Sequence, residues 1–254
     1  MLVHVQPTPQ QLVQLTQLVS SPRLAPYIAQ TSTKPQAMAL YLWNIQVTSA
    51  CAETIALAEV ILRNAMSDQL TAAYGPRWYS RAELFDDRTA KDIRSAWSSI
   101  TMPKDSATGR PAAKTLQAVP AGKVVANTML GCWINLLDRG GTRGEGPMLK
   151  KVDYDSTLWR KALYKAFPHS NGRRATVHEA ASRMRALRNR AAHHEPLIDG
   201  VPLPGQGLAG GGVRRLTLAE AHQEVLDVVG FIDRDVADWL SRASRVPQLL
   251  AARP

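Results

Sequence analysis

The longest uninterrupted segment of this chain constrains its fold most. Residues 36–74 contain neither glycine nor proline, the two residues that most often interrupt a helix. Pro35 stands immediately before this segment, and Gly75-Pro76 follows it. Apolar side chains recur within the segment at helical spacing, so we predict one long helix or two helices in line.

The rest of the chain is also patterned as helix. Four segments open with a capping box, in which Ser or Thr is followed three residues later by Glu or Gln. Stretches rich in Gly and Pro at 101–122 and 200–212 indicate loops between helices, and no convincing strand pattern is present. The sequence therefore predicts an all-α fold of about seven to eight helices, with residues 1–254 in a single domain. The capping-box pairs are Thr8 with Gln11, Ser80 with Glu83, Thr176 with Glu179 and Thr217 with Glu220.

The charge of the chain favours an anionic partner. Lys and Arg number 31 against 21 Asp and Glu, which gives a formal net charge of +10. A soluble basic surface is the simpler interpretation of this excess, and binding to nucleic acid is the more specific one. No basic amphipathic anchor is evident, so we place RNA or DNA ahead of a membrane surface.

The two cysteines and the N-terminus bear on the compartment. Cys51 and Cys132 both lie in apolar, helix-like stretches, which is typical of buried thiols and not of a disulfide framework or a cysteine-rich zinc site. The first residues lack the charged and apolar regions of a signal peptide, and we identify no segment of membrane-span length. We therefore predict a cytoplasmic protein.

One short stretch concentrates chemically active side chains. Residues 188–197 place a permanent cation, an amide and an imidazole within six residues, as Arg188, Asn189 and His193. A guanidinium can hold a phosphate, and an imidazole can move a proton near neutral pH. Together these groups could cut a phosphodiester without a metal.

Helix geometry separates the members of this set. At about 100° per residue, Asn189 shares the face of His193, whereas Arg188 lies about 140° away from it. A second copy of the same helix could supply the missing partner, which favours a homodimer with a composite site. His194 falls on the apolar stripe, where we expect a hydrogen-bonded histidine at a packed surface.

The end of the motif helix is set by proline. Pro196 disfavours helical geometry at Glu195, so we predict that the helix ends near His194, with His193 in its last turn. The carbonyl end of a helix favours a cation, and an imidazolium at His193 would be stabilised there.

These residues resemble the motif of HEPN-domain ribonucleases, and specifically the Abi-like (abortive-infection) bacterial group. The HEPN motif is Arg, four to six residues, then His, and Arg188, Asn189 and His193 fit it with the four-residue spacing. The Abi-like extension, a second histidine followed by Glu-Pro, is present as His194, Glu195 and Pro196.

The resemblance covers residues 20–240 through a series of further segments. Its early Tyr-x-Trp-Asn corresponds to Tyr41–Asn44, and its Glu-x-x-Leu-Arg-Asn to residues 59–64. The following Tyr-Gly-x-x-Trp corresponds to residues 74–78, and a Gly-x-Trp-x-x-Leu helix to residues 131–136. The Gly-rich loops at 138–146 and 205–212 have no counterpart that we can assign.

The resemblance implies an HEPN-like helical bundle, a homodimer with the motif at its interface, and metal-independent RNA cleavage. His193 would transfer protons to or from the 2′-hydroxyl and the leaving oxygen, and Arg188 would stabilise charge on the phosphate. Asn189 would orient His193 or bind a phosphate oxygen. Such cleavage would leave a 2′,3′-cyclic phosphate. The resemblance implies that the protein acts in phage defence or in toxin-like growth arrest. An antitoxin or a defence complex would be a further partner.

Several other residues are candidates for supporting the site or binding RNA. The neighbouring cations are either solvated charges or a track for phosphates. Glu59 and Arg63, with Asn64 beside them, are either a helix ion pair or a support for the site, as the resemblance suggests. The cations and motif neighbours concerned are Arg173, Arg174, Arg183, Arg185, Arg190, His194 and Glu195.

We predict neither a metal nor a cofactor. His193, His194 and Glu195 are adjacent and point about 100° apart on a helix, and no partner histidine stands at metal-ligand spacing. No Walker or Rossmann glycine pattern precedes a helix. Two alternatives to the ribonuclease remain open, namely a non-catalytic RNA-binding HEPN module and a nucleotide-binding regulatory subunit of a defence complex.

Overall fold

A computed structural model describes residues 7–104, 108–207 and 211–254, with the backbone alone for residues 204–206. The chain is 64% helical, which confirms the predicted all-α class, although two small sheets of two strands each are also present. Ten helices lie within the described residues. They are α1 (Pro9–Leu18), α2 (Ser21–Ile28), α3 (Lys34–Tyr74), α4 (Asp87–Ser99), α5 (Ala121–Asn127), α6 (Leu130–Asn135), α7 (Arg174–Ala192), α8 (Leu218–Ile232), α9 (Arg234–Ala243) and α10 (Val246–Ala251).

The segment without glycine or proline forms a single helix. Helix α3 has 41 residues and ends one residue before Gly75, whose backbone is left-handed. By length and composition alone it could cross a membrane, so the expectation that no segment reaches that length was wrong. A single helix of this kind is weak evidence for a membrane span, and 44% of its most apolar window is buried inside the protein.

The chain folds into two compact units. The first unit comprises the chain up to Ala58, Arg183–Asp227 and the chain from Val236 onwards, and the second comprises Glu59–Ser182 and Val228–Asp235. The boundary between Ala58 and Glu59 falls inside α3, and the boundary between Ser182 and Arg183 falls inside α7. A single domain over residues 1–254 stays a prediction.

Each unit has its own apolar core. In the first unit the core side chains come from α2, α3, α7, α8 and the C-terminal helices. In the second unit aromatic rings dominate, and Trp78 makes edge-to-face contacts with Trp133 and Phe85. Buried members of the first core include Tyr27, Met38, Val47, Met184, Leu187, Leu197, Val225 and Val246, and those of the second include Leu62, Met66, Trp78, Phe85, Trp133, Tyr154 and Phe167.

Two of the four predicted capping boxes are present. Thr8 and Gln11 cap α1 reciprocally, and Thr217 and Glu220 do the same for α8. The other two predictions were wrong. Residues 78–84 form short 3₁₀ turns, and α4 is capped instead by Asp86, whose side chain accepts from the Thr89 N–H at 2.8 Å. Helix α7 begins at Arg174, which places Thr176 inside its first turn.

The spacing of apolar residues also predicts single helices over residues 124–137, 158–167 and 218–239, and the structure interrupts all three. The helix expected around residues 124–137 breaks between α5 and α6 at Thr128, whose hydroxyl donates to the Val124 carbonyl at 2.8 Å and competes with the helical ladder. The last helix breaks at Asp233, between α8 and α9. The segment expected as one helix over residues 158–167 consists of a π-helical turn at Asp155–Trp159 and a 3₁₀ turn at Leu163–Ala166.

The Gly-rich loops that the resemblance left unassigned overlap or adjoin the strands of the two sheets. Strands β1 (Thr142–Arg143) and β2 (Lys150–Lys151) pair antiparallel in the second unit, and β3 (Val201–Gly207) and β4 (Val213–Leu216) pair antiparallel in the first. Gly200, at φ +74°, precedes β3, and a Cβ there would lie 2.0 Å from the Leu216 carbonyl oxygen. Only glycine permits this close approach.

Candidate functional site at the end of helix α7

The motif residues lie where α7 ends. Arg188 and Asn189 stand in the last two turns, and His193 follows Ala192, the last helical residue. The His193 N–H still donates to the Asn189 carbonyl at 3.0 Å, so its backbone continues the helical pattern. Asn189 and His193 are exposed and Arg188 is partly exposed, and all three belong to the first unit. The predicted helix end is therefore correct to within two residues.

His194 reverses the chain in a left-handed conformation. Its φ is +53°, its N–H donates to the Ala191 carbonyl at 3.2 Å, and the Glu195 N–H donates to the Arg190 carbonyl at 2.9 Å. These two bonds are those of a Schellman motif, whose left-handed position is usually glycine. The His194 side chain is exposed, so its predicted place on the packed apolar stripe was wrong. The chain leaves the stripe at this residue because the helix has already ended.

Two long-range hydrogen bonds fix the segment after the motif. The Arg23 guanidinium of α2 donates to the His194 carbonyl at 2.6 Å. The buried Asn44 of α3 accepts from the Leu197 N–H through Oδ1 at 2.7 Å. Both partners lie in the first unit. The Asn of the Tyr-x-Trp-Asn segment therefore holds the backbone just beyond His-His-Glu-Pro.

Four arginines lie in the part of α7 that belongs to the first unit, and they divide into two groups. Arg183 is ion-paired with Glu224, and Arg190 with Glu195 at 3.0 Å. Arg185 and Arg188 make no hydrogen bond or ion pair with any residue between 7 and 254 that the structure describes. Among these four cations, Arg185 and Arg188 are thus the two whose guanidinium groups are available to an anion.

Arg190 acts within the fold around the motif. Besides its ion pair with Glu195, it donates to the Pro196 carbonyl at 2.6 Å. Burial lowers the pKa of this guanidinium, and the Glu195 carboxylate opposes that shift. Arg190 and Glu195, both candidates for supporting the site or binding RNA, are therefore paired with each other and brace the turn that follows His193.

The remaining candidates lie in the second unit. Arg174 is 14% exposed, pairs with Asp155 and donates to the Leu137 carbonyl at 2.7 Å, whereas Arg173 is exposed. Glu59 and Arg63 form the expected i,i+4 ion pair at 3.0 Å, and Arg63 also donates to the Ala126 carbonyl at the end of α5. Asn64 is exposed.

The tryptophans in the segments that carry the family resemblance belong to the core of the fold. Trp43 is 5% exposed and donates through its indole N–H to the Leu249 carbonyl at 2.6 Å. Trp78 and Trp133 are 1% and 0% exposed, respectively, and form the aromatic core of the second unit. Burial on this scale makes these three rings core residues and not platforms for stacking bases.

A cleft beside the motif is a feature that the sequence analysis missed. It has a volume of about 420 Å³ and is lined by residues of α2, α3 and the C-terminal end of α7, among them Arg23, Tyr41, Asn44, Thr48 and His194. The signal was present in part, because Tyr41 and Asn44 belong to a recognised segment. Nothing in the sequence placed that segment against the motif.

Metal-ligating side chains are not clustered here. Within residues 7–104, 108–207 and 211–254, no group of three or more His, Cys, Asp or Glu side chains is arranged to hold a metal ion.

Comparison with known proteins identifies the family. Residues 15–199 match the family of Abi-like proteins, and the match includes α7, the motif and the cleft. The chain belongs to this Abi-like family. No curated protein and no solved structure gives a significant match.

Proposed function

We propose that this protein is a metal-independent endoribonuclease of the HEPN type that acts in phage defence or as a growth-arresting toxin. Membership of the Abi-like family supports the abortive-infection role. The observation that carries the enzymatic proposal is the state of Arg188. It stands five residues before the exposed His193, on a helix whose neighbouring arginines, Arg183 and Arg190, are ion-paired, yet it has no partner of its own among the described residues.

The chemistry assigns one task to each side chain. His193 takes a proton from the RNA 2′-hydroxyl or gives one to the leaving oxygen, and general acid–base help of this kind contributes about 10²–10⁴-fold. Arg188 stabilises the charge that builds on the phosphate, by electrostatic preorganisation. Asn189 orients His193 or contacts a phosphate oxygen. Attack by the 2′-hydroxyl leaves a 2′,3′-cyclic phosphate, so DNA is not cut.

A homodimer completes the site in this proposal. On one helix Arg188 and His193 are separated by about 140° of rotation, which sends their side chains in different directions. A two-fold axis near the end of α7 brings Arg188 of one protomer towards the His193 of its partner. Arg185, which is also unpaired in the described part of the chain, extends the cationic surface for flanking phosphates.

The test is incubation of the purified protein with total cellular RNA in the presence of EDTA. The wild type should cleave RNA and leave cyclic-phosphate ends, whereas Arg188→Ala and His193→Ala should not. Arg242→Ala is the matched control, because Arg242 is an exposed, ion-paired arginine of α9 in the same unit. Equal cleavage by all four proteins, or cleavage that EDTA abolishes, would overturn the proposal.

A non-catalytic RNA-binding module is the second candidate. The net charge of +10 and the unpaired Arg185 and Arg188 of the described chain favour RNA binding whether or not His193 reacts. In that case no protein cleaves RNA, Arg188→Ala weakens RNA binding, and His193→Ala barely alters it.

A further inference from the structure

The cleft beside the motif has one face built from a single helix. Tyr41, Asn44, Ile45 and Thr48 recur at helical spacing along α3 and all line it. Arg23 of α2 and His194 at the end of α7 complete the lining. His194 directly follows His193 in the chain, so the lining of the cleft lies one residue from the proposed reacting group.

A buried hydroxyl in this cleft has no partner among the described residues. Thr48 is 8% exposed, and its Oγ1 makes no hydrogen bond with any of them. A threonine within a helix ordinarily donates to a carbonyl three or four residues before it. Thr54 of the same helix does so, with its hydroxyl 3.1 Å from the Ala50 carbonyl oxygen. Thr48 lacks this bond, and its Oγ1 is closed to solvent, so the side chain must turn about χ1 before a ligand in the cleft can satisfy the hydroxyl.

Asn44 offers a second polar group with a defined orientation. Its Oδ1 accepts from the Leu197 N–H at 2.7 Å, which fixes how the amide is turned. The NH₂ end remains as a donor for a ligand in the cleft. Tyr41 adds an aromatic ring, held edge-to-face against the buried Tyr27 ring at a centroid distance of 5.2 Å.

The charges of the residues that line the cleft narrow the class of ligand further. Arg23 and His194 are its basic members, and none of the described residues that line the cleft is acidic. A donor amide, a hydroxyl, an aromatic ring and one guanidinium are the groups that read a nucleobase and hold its phosphate. The volume of about 420 Å³ suits one nucleotide and not several.

We infer that this cleft binds one nucleotide unit of single-stranded RNA next to the bond that His193 acts on. The base lies against Tyr41 and Ile45, with its edge on the Asn44 amide and the Thr48 hydroxyl, and its phosphate lies on Arg23. The inference deepens the ribonuclease proposal and rests on it for the RNA. The cleft makes the protein select unpaired RNA, because a base within a duplex cannot enter it.

Binding of a short single-stranded RNA with 2′-O-methyl sugars tests this inference. The modified RNA cannot be cut through its 2′-oxygen, so fluorescence anisotropy measures binding alone. Thr48→Val should weaken binding about fivefold, by removing one hydrogen bond without changing side-chain volume. Tyr41→Leu should weaken it about tenfold, by removing the stacking ring.

The controls separate binding from folding. Thr128→Val removes a buried threonine hydroxyl in the second unit, outside the cleft, and should leave RNA binding unchanged. Thr48→Val should unfold no earlier than the wild type, because an unpartnered buried hydroxyl contributes nothing to stability. Unchanged RNA binding by both Thr48→Val and Tyr41→Leu would overturn the inference.

Two further outcomes distinguish related ideas. A free mononucleotide should compete with the RNA only weakly. If it binds more tightly than the RNA, and Thr48→Val abolishes that binding, the cleft serves a free nucleotide and the assignment to RNA is wrong. If the cleft variants lose modified RNA while wild-type protein cuts no unmodified RNA, the ribonuclease proposal fails and the binding site stands.

Discussion

Asn44 and Leu197, separated by 153 residues in sequence, are joined by a hydrogen bond of 2.7 Å from the Leu197 N–H to the Asn44 Oδ1. Both residues are buried. The bond fixes the backbone four residues after His193, and Arg23 fixes it again at the His194 carbonyl. The position of the motif thus depends on two helices remote from it in sequence.

Removal of the Asn44 acceptor should destabilise the first unit. Asn44→Leu leaves the buried Leu197 N–H unpaired, which we expect to cost about 1–3 kcal/mol. Urea unfolding would measure this loss. Gln46→Ala, on the same helix and without a hydrogen bond among the described residues, should change the free energy of unfolding little. A loss as large in Gln46→Ala would contradict the role assigned to the Asn44 amide.

The left-handed backbone at His194 predicts opposite effects on stability and function. His194→Gly should raise the free energy of unfolding by up to about 1 kcal/mol, because glycine adopts φ +53° without strain. His194→Ala keeps the strain and should not stabilise. If His194 lines the RNA cleft, both variants should lose RNA affinity, and a stabilised His194→Gly protein with full affinity would argue against that role.

Gly200 should tolerate no side chain. Gly200→Ala places a Cβ 2.0 Å from the Leu216 carbonyl oxygen at φ +74°, so we expect a loss of about 2 kcal/mol or more, from strain and displaced strands. Gly207→Ala, at the other end of β3, meets nothing within 4 Å and is the matched control. Thermal unfolding of the two variants should separate them clearly, and equal melting temperatures would contradict the close approach described at Gly200.

His222 should make stability depend on pH. Burial lowers the pKa of this side chain below its ordinary value of 6.5, and its Nε2 lies 2.9 Å from the Ser244 Oγ. Between the folded and unfolded pKa values the unfolded chain binds more protons, so the free energy of unfolding rises with pH and levels off above about 6.5. It should therefore be lower at pH 5 than at pH 7.

The variant His222→Gln isolates this effect. Glutamine retains a polar group for Ser244 but does not titrate, so the difference between the two proteins should follow the histidine alone. Urea unfolding at several pH values would measure that difference. Parallel pH profiles for the wild type and His222→Gln would contradict a buried neutral histidine.

Mixing two inactive variants tests the composite site. Arg188→Ala and His193→Ala should each be inactive alone, but a mixed dimer contains one site with both an intact Arg188 and an intact His193. After random exchange of subunits, about half of the dimers are mixed and the activity should return to about a quarter of the wild-type value. No recovery, with exchange verified by mass spectrometry, would place both residues in the same protomer.

The long helix and the end of the motif helix could be predicted because their signals are local. The absence of Gly and Pro over residues 36–74 predicted α3, and Pro196 predicted the end of α7 to within two residues. Interruptions were missed where a side chain competes with the backbone, as the Thr128 hydroxyl does at the Val124 carbonyl.

The tertiary surroundings of the site could not be predicted from periodicity. The same pattern that identified Arg188, Asn189 and His193 also marked Arg190 and Glu195 as residues that support the site or bind RNA, but it gave no sign that these two form an ion pair with each other. The cleft brings Arg23 and Tyr41 to His194 across more than 150 residues of sequence. Such pairings follow from packing and carry no local signal.

The indole of Trp43 reaches the Leu249 carbonyl, 206 residues further along the chain, while its neighbour Asn44 holds Leu197. During synthesis on the ribosome, α3 therefore emerges long before the residues that lock it in place. His193 leaves the exit tunnel before Leu249 does, so the hydrogen bond between Trp43 and the Leu249 carbonyl forms only after His193 has emerged. Trp43 and Asn44, next to each other on α3, are therefore both fastened only after helix α10 has emerged.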